Sequence, residues 1–163
     1  INVELTDGNQ QIILATKNGN AVRFEERNVR ATGRSAQGVR GITLKDNDEV
    51  IGMVVASDEK TLLSITENGY GKRTQIADYR LIKRGGSGVI NIQCSERNGK
   101  VVSICDVTEN DDIIFISKNG IVIRVPALDI SVIGRNTQGV RIMKLEPSDK
   151  VVSAVRVAKE NNN

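Results

Sequence analysis

Residues 62–73 read LLSITENGYGKR, and this stretch decides the fold. An apolar run is followed by Asn68-Gly69 and then by a short segment that leads to Lys72-Arg73. Asn-Gly between two such runs is the strongest short signal of a β-hairpin, because both residues tolerate the positive φ of a type I′ turn. The stretch therefore predicts two antiparallel strands joined at residues 68–69.

The same hairpin signal occurs three times along the chain. Asn-Gly pairs stand at residues 18–19, 68–69 and 119–120, which are 50 and 51 residues apart. Other residues recur with the same spacing: the loop arginines Arg34, Arg84 and Arg135; the glycines Gly38, Gly88 and Gly139; the valines Val39, Val89 and Val140, which begin a predicted third strand; and the valines Val50, Val101 and Val151, which begin a predicted fourth. A fixed period of this length indicates an array of repeated units.

Four strands in a unit of this length are typical of a propeller blade. The repeats span residues of about 12–60, 61–112 and 113–160, and residues 1–11 resemble the end of an earlier repeat. The 163 residues include no Trp, two Phe and two Tyr, so the core must come from Ile, Val and Leu, which favour strands. We therefore predict an all-β, propeller-like chain of three four-stranded blades that form part of a ring.

The composition also bears on the class of protein. The chain has no histidine, which removes the commonest acid–base catalyst and metal ligand. Cys94 and Cys105 lie in apolar runs and are interpreted as reduced side chains of a cytoplasmic protein, with a disulfide or a metal pair as the alternatives. No apolar stretch is long enough to cross a membrane, so no membrane partner is expected. Because the first residue is Ile, the chain is interpreted as a piece of a longer polypeptide.

Charge is distributed unevenly within each repeat, although the net charge is only +3. Residues 17–45 carry seven basic and two acidic side chains, whereas residues 46–67 carry six acidic side chains and one basic side chain. The second repeat follows the same order, and residues 118–144 of the third carry five basic side chains and one acidic side chain. If the blades are arranged around an axis, equivalent positions form one positive rim and one negative edge.

A positive rim with repeated Arg and Gly is typical of a surface that binds a phosphate backbone. The alternative is a set of solvated faces with cross-strand ion pairs. Binders of single-stranded nucleic acid usually need aromatic stacking platforms, and four aromatic residues over three blades are too few. The predicted partner is therefore double-stranded DNA, held along its backbone without base reading.

The chain resembles the C-terminal domain of the bacterial DNA gyrase A protein over essentially its whole length. The phrases that carry the resemblance are ENGYGKRT at residues 67–74, VRGI at residues 39–42 and ISVIGRNTQGV at residues 130–140. The family's domain is a β-pinwheel, a propeller-like ring, usually of six blades, whose blades exchange strands with their neighbours. The resemblance implies that this chain is the last three blades of that ring.

The resemblance also implies a function. Duplex DNA bends around the basic rim of the family's domain, and this wrap lets the full enzyme introduce negative supercoils in an ATP-dependent reaction. The implied partners are DNA, the N-terminal part of the gyrase A protein and the gyrase B protein, in the bacterial cytoplasm on the chromosome. ATP and magnesium belong to other parts of that enzyme, so no cofactor is expected here. The implied DNA contacts are Arg23, Arg34, Arg40, Lys72, Arg73, Lys83, Arg84, Arg124, Arg135 and Arg141.

One departure from the family concerns its signature box, Gln-Arg-Arg-Gly-Gly-Lys-Gly, which lies in the first blade and is needed for full wrapping. The nearest match here is KRGGSG at residues 83–88, at the equivalent loop position but without the Gln and the second Lys. We interpret it as a degenerate copy. This chain alone is therefore expected to bind weakly and to wrap incompletely.

No catalytic assembly is evident in the sequence. Tyr70 and Tyr79 have no constellation of carboxylates and basic residues around them, and the acidic groups at residues 46–49 and 111–112 are interpreted as polar turns. A propeller enzyme is therefore disfavoured. The alternatives left open are the equivalent C-terminal domain of topoisomerase IV and a propeller scaffold for protein partners. Three blades would leave unpaired strand edges, and either two copies could cover them by associating or the partial ring could stand alone with its edges blunted.

Overall fold

The computed structural model describes residues 2–45 and 47–158, and the regular secondary structure in these ranges is almost entirely β-strand. The strands are β1 (Gln11–Thr16), β2 (Asn20–Glu25), β3 (Val50–Ala56), β4 (Thr61–Thr66), β5 (Tyr70–Gln75), β6 (Val89–Ile90), β7 (Val101–Val107), β8 (Asp111–Ser117), β9 (Val122–Pro126), β10 (Val140–Arg141) and β11 (Val151–Ala158). Single 3-10 turns follow β2, β5 and β9 at Glu26–Asn28, Ile76–Asp78 and Ala127–Asp129. The all-β prediction is confirmed.

The strands form three antiparallel sheets, which we number in chain order. Sheet 1 has the strand order β3-β1-β2-β6, sheet 2 has β7-β4-β5-β10, and sheet 3 has β11-β8-β9. Strand β6 follows β5 in the chain yet pairs with β2, and β10 follows β9 yet pairs with β5. Each complete sheet therefore takes its last strand from the next repeat, as the resemblance implied.

This exchange explains two differences from the predicted strands. Third strands form at Val89 and Val140, but none is present at Val39, because among the described residues no earlier sheet offers an edge for it. Sheet 3 has three strands instead of four, because no further repeat within residues 2–158 supplies a fourth. The fourth strands begin at Val50, Val101 and Val151 as predicted.

The hairpins form where the Asn-Gly pairs predict them, but their turns are not of type I′. Gly69 has φ +81°, but Asn68 does not have a positive φ. Among the described residues other than glycine, only Asn47 has one. The turn is closed by a bond from the Gly69 N–H to the Thr66 carbonyl, 3.1 Å. A bonded turn followed by a left-handed glycine is typical of a three-residue hairpin loop.

The apolar core lies between successive sheets. One cluster joins sheet 1 to sheet 2 and includes Ile13 and Leu62, both completely buried. A second joins sheet 2 to sheet 3 and includes Leu63 and Phe115. Side chains alternate between the two faces of a strand, so neighbours such as Leu62 and Leu63 serve different clusters. The sheets are therefore held face to face, like the blades of a propeller.

The two cysteines carry free thiols, and both are half-buried. Burial raises the pKa of Cys105 to about 12, so its thiol remains protonated at neutral pH. The predicted polar turn at residues 46–49 falls partly on Asp46, which lies outside the described residues. Asp48 accepts hydrogen bonds from the backbone N–H groups of Asn18 and Glu49, each 2.9 Å.

Candidate nucleic-acid interface

In each repeat, twelve residues run from the end of the 3-10 turn through the position of the predicted third strand. We call this segment an arm. Arm 1 is residues 29–40, arm 2 is residues 79–90 and arm 3 is residues 130–141. Each arm starts at the 3-10 turn, and arms 2 and 3 end in β6 and β10 on the preceding sheet. Arms 2 and 3 therefore bridge successive sheets.

The arms contain cations and no carboxylates. Their eight basic side chains are Arg30, Arg34, Arg40, Arg80, Lys83, Arg84, Arg135 and Arg141. None of the ion pairs formed by the described residues includes any of the eight. This charge is not cancelled within the protein, so the arms carry a positive potential that is available to an external anion.

Neighbouring arms are held together by the loop arginines. The Arg84 side chain donates from Nε to the Asn28 carbonyl at 3.1 Å and from a second nitrogen to the Arg40 carbonyl. Arg135 repeats the pattern one blade later, with bonds of 3.0 Å to the Asp78 carbonyl and 2.8 Å to the Ile90 carbonyl. Arm 1 therefore contacts arm 2, and arm 2 contacts arm 3, so their cations follow one continuous path.

Arg23 and Arg73, two of the predicted DNA contacts, are buried instead at the junctions between sheets. Arg23 on β2 donates to the carbonyls of Ile76 and Tyr79, at 2.9 and 3.2 Å, and pairs with Asp58 at 2.7 Å. Arg73 on β5 donates to the carbonyl of Ile130 at 2.8 Å. Both guanidinium groups fix the start of the following arm, so they lie in the interior.

Lys72 is also predicted as a DNA contact and is completely buried. Its Nζ donates to the carbonyls of Gly134 and Arg135, each at 2.6 Å, and to the Thr137 hydroxyl at 3.1 Å. Burial and the nearby Arg135 guanidinium lower the pKa of Lys72 to about 8. At neutral pH the ammonium group therefore stays charged, and its three hydrogen bonds fix the loop of arm 3.

Arg124 differs again, since it is exposed but already paired. Its guanidinium lies 2.8 Å from a carboxylate oxygen of Asp112 on the neighbouring strand β8. The remaining six predicted contacts all lie on the arms: Arg34, Arg40, Lys83, Arg84, Arg135 and Arg141. The predicted set therefore divides into exposed or half-buried arm residues without carboxylate partners and strand residues with partners inside the protein.

The sequence prediction missed two cations of the same path. Arg30 and Arg80 are exposed, stand 50 residues apart and are the second residues of arms 1 and 2. Their spacing is the signal that could have found them. The third repeat has Ser131 at this position, so the period is less evident there.

Two features are absent from the residues that the structure describes: a cluster of potential metal ligands and a helix able to span a membrane. These residues contain no group of three or more side chains arranged to hold a metal ion. No helix in these ranges is long and apolar enough to span a bilayer.

The family model of the DNA gyrase C-terminal domain, described as a β-propeller, matches residues 10–57, 60–104 and 111–158. The DNA gyrase A protein of Haloquadratum walsbyi is 48% identical to this chain over 155 residues, which is 94% of this chain and 18% of that protein. The chain therefore spans less than a fifth of the length of this relative.

Two solved structures share the fold. The C-terminal domain of DNA gyrase A superposes with a TM-score of 0.86 at 32% identity, covering 93% of this chain and 52% of that one. The C-terminal domain of DNA topoisomerase IV gives a TM-score of 0.90 over 96% of this chain and 49% of that one, but its 24% identity shows a shared fold alone. The chain belongs to the family of DNA gyrase A C-terminal domains.

Proposed function

We propose that this chain binds and bends double-stranded DNA along its arms and does so without catalysing a reaction. The single observation that carries the proposal is the charge of the arms, which hold eight cations and no carboxylate. Each arm touches the next, so a phosphate backbone can pass from one arm to another without leaving the positive path. The relatives that share the chain's family are components of DNA gyrase.

The energetics favour a backbone binder that does not read bases. Bending a duplex of 20–30 base pairs by 40–90° costs on the order of 1–6 kcal/mol, and cations that neutralise successive phosphates offset this cost by releasing counterions. Among the described residues no helix exceeds a single 3-10 turn, so none is long enough to lie in a major groove. Affinity for duplex DNA should therefore depend on salt and hardly at all on base sequence.

Within the whole protein, we propose that this bending supports negative supercoiling by a complete gyrase. The N-terminal part of the gyrase A protein and the gyrase B protein would carry out DNA cleavage and would bind ATP and magnesium. In this proposal the complex works on the chromosome in the cytoplasm. A role in topoisomerase IV is less well supported, because the match to that enzyme's domain rests on fold rather than on sequence identity.

The test compares two double variants with the same change in charge. Arg34→Gln with Lys83→Gln removes two arm cations that are exposed and make no side-chain hydrogen bond to a described residue. Lys45→Gln with Lys118→Gln removes two exposed cations from turns outside the arms. Binding of a duplex of about 40 base pairs is measured at several salt concentrations by fluorescence anisotropy.

The arm variant should bind more weakly, and the slope of log affinity against log salt should fall by about 2, because two fewer phosphates are neutralised. The control variant should keep both the affinity and the slope of the unmodified chain. Equal losses in the two variants would indicate that the arms are not the interface. A chain that binds no duplex at low salt would contradict the proposal outright and favour a scaffold for proteins.

A further inference from the structure

Tyr70 on β5 interrupts the pattern of the repeats. The equivalent positions hold Asn20 and Ile121, neither of which is aromatic. Two arginines from separate segments converge on this tyrosine. Arg97 precedes β7, and its guanidinium carbon lies 5.0 Å from the ring centre, while that of Arg141 on β10 lies 5.5 Å away. The feature is therefore not needed to build a blade, since the other two sheets form without it.

Both arginines also donate to the phenol oxygen of Tyr70. The distances are 3.4 Å from Arg97 Nε, and 3.3 and 2.9 Å from two nitrogens of Arg141. These bonds leave both terminal nitrogens of Arg97 and one of Arg141 without a hydrogen-bond partner among the described residues. Two like charges at one phenol repel each other, and no carboxylate of the described residues pairs with either.

A groove of about 320 Å³ opens beside this cluster. Its wall adds the cations Lys144 and Lys150 and the acids Glu146 and Asp149. Asp149 is buried, and its Oδ1 accepts bonds from the backbone N–H groups of Asn119 at 3.0 Å and Lys150 at 2.8 Å. The groove therefore has four cations against two carboxylates, one of which is committed to the backbone.

We propose that this groove, built on Tyr70, Arg97 and Arg141, binds a phosphate group. Planar guanidinium groups with free N–H donors match the oxygens of a phosphate, and two of them can hold it from two sides. Tyr70 orders both guanidinium groups before the ligand arrives, which lowers the entropy cost of binding. Lys144 at the rim adds charge without a fixed geometry.

The phosphate can come from either of two sources. Arg141 is the last residue of arm 3, so a backbone phosphate of DNA that follows the arms can enter the groove, and this source rests on the proposed function. A small phosphate-bearing molecule can bind in the same way without DNA. The chemistry of recognition is shared, and the experiment must separate the two sources.

Tyr70 supplies the readout. The two arginines lower the pKa of the Tyr70 phenol, because they favour its charged form. The only other tyrosine, Tyr79, is buried, and burial raises the pKa of its phenol well above the usual range. A phenol that ionises below pH 10 can therefore be assigned to Tyr70. A bound phosphate would neutralise the arginines and move the pKa of Tyr70 upwards.

The experiment follows the Cζ resonance of ¹³C-labelled tyrosine against pH in the whole chain. Separate titrations contain inorganic phosphate, a short duplex, or sodium chloride at the same ionic strength. Phosphate or duplex should raise the pKa of Tyr70 by about one unit relative to chloride. Tyr70→Phe should remove the signal, and Arg97→Gln should abolish the shift, whereas Lys45→Gln with Lys118→Gln should preserve it.

The outcomes separate this inference from the proposed function. A shift with phosphate alone supports a site for a small phosphate, and a shift with duplex alone supports a backbone contact. If duplex binds but neither duplex nor phosphate moves the pKa of Tyr70, and Arg97→Gln and Lys144→Gln leave duplex affinity unchanged, the groove is not a phosphate site although the arms bind DNA. If phosphate moves the pKa while no duplex binds, the groove stands and the proposed function fails.

Discussion

Arm 1 and arm 3 carry almost the same phrase, GRSAQGVR at residues 33–40 and GRNTQGVR at residues 134–141, yet they have different structures. Val140 and Arg141 pair with β5, and Arg135 is half-buried against the preceding arm. All twelve residues of arm 1 are exposed, and none of them lies in a strand. This sequence therefore does not form a strand by itself, because a strand of only two paired residues forms at the edge of an existing sheet.

The sheet edge that receives an arm also differs according to whether the arm is docked on it. A β-carbon added to Gly69 would lie 2.3 Å from the Met143 carbonyl oxygen, because the chain that follows arm 3 crosses the turn closely. The equivalent Gly120 has nothing described within 4 Å of such a carbon. Next to it Val122 is 59% exposed, whereas its counterpart Ala21 in sheet 1 is completely buried. Docking of an arm thus decides whether an edge is solvent or interior.

The largest expected effect contrasts Gly139→Ala with Gly38→Ala. Both glycines have φ +78°, so alanine should cost about 1 kcal/mol of unfolding free energy at either site from the backbone alone. At Gly139 the new carbon would also lie 2.7 Å from the Gly71 carbonyl oxygen, whereas at Gly38 nothing described lies within 4 Å. We expect a total loss of about 3 kcal/mol or more at Gly139.

Urea unfolding followed by circular dichroism measures both losses. Gly88→Ala serves as a second docked site, since its new carbon would lie 2.3 Å from the Ala21 carbonyl oxygen. Equal, small losses at Gly38 and Gly139 would mean that arm 3 does not dock as described.

A smaller difference is expected between Arg135→Gln and Arg34→Gln. Arg135 forms two hydrogen bonds to carbonyls at and beside arm 2 and lies 5.9 Å from the centre of the Tyr79 ring. Its loss should lower the free energy of unfolding by about 1–2 kcal/mol. Arg34 is exposed, so its loss should change stability by less than about 0.5 kcal/mol. Thermal unfolding of both variants checks this, and an equally large effect at Arg34 would contradict the contrast between the arms.

The smallest expected effect is a pH dependence of the unfolding free energy that comes from Lys72, a contact that only arm 3 has. Lys72 holds arm 3, while the equivalent positions are Val22 and Ile123. Its pKa is about 8 in the folded protein, below the ordinary 10.5, so between these values the unfolded chain binds more protons. The Lys72 contribution to stability should therefore rise with pH above about 8, by about 1 kcal/mol between pH 8 and pH 9.

Lys72→Met tests this linkage. The gain in unfolding free energy between pH 7 and pH 9.5 should be smaller in the variant than in the unmodified chain. Tyr70 and the cysteines titrate in both proteins, so the difference between the two isolates Lys72. A variant with the same or a larger gain would show that the amine does not lose its proton in this range.

Much of the fold could be predicted because its signals are local. Alternating apolar residues and a hairpin turn act over a few positions, so the starts at Val50, Val101 and Val151 follow from spacing. The type of turn could not be predicted with the same certainty, since Asn-Gly suits more than one hairpin loop. The absence of a strand at Val39 could not be predicted either. It results from the lack of a sheet edge among the described residues with which Val39 could pair, and the sequence around Val39 does not show this.

The candidate site was predictable only in part. Arg23, Arg73 and Arg124 occupy equivalent positions and look alike in the sequence. In the structure the first two are buried by the arm that follows them, whereas Arg124 stays exposed beside Asp112. Position in a repeat therefore indicates a role in the blade but not exposure to solvent.

The sequence by itself determined the three repeats, the hairpins and the concentration of cations without carboxylates in the arms. Only the tertiary structure decided which cations remain on the surface and which sheet each short strand joins. The physical reason is separation along the chain. Arg23 is buried by the carbonyl of Tyr79, 56 residues away, and Lys72 by that of Arg135, 63 residues away. Contacts at such distances depend on how whole blades pack, which no local pattern encodes.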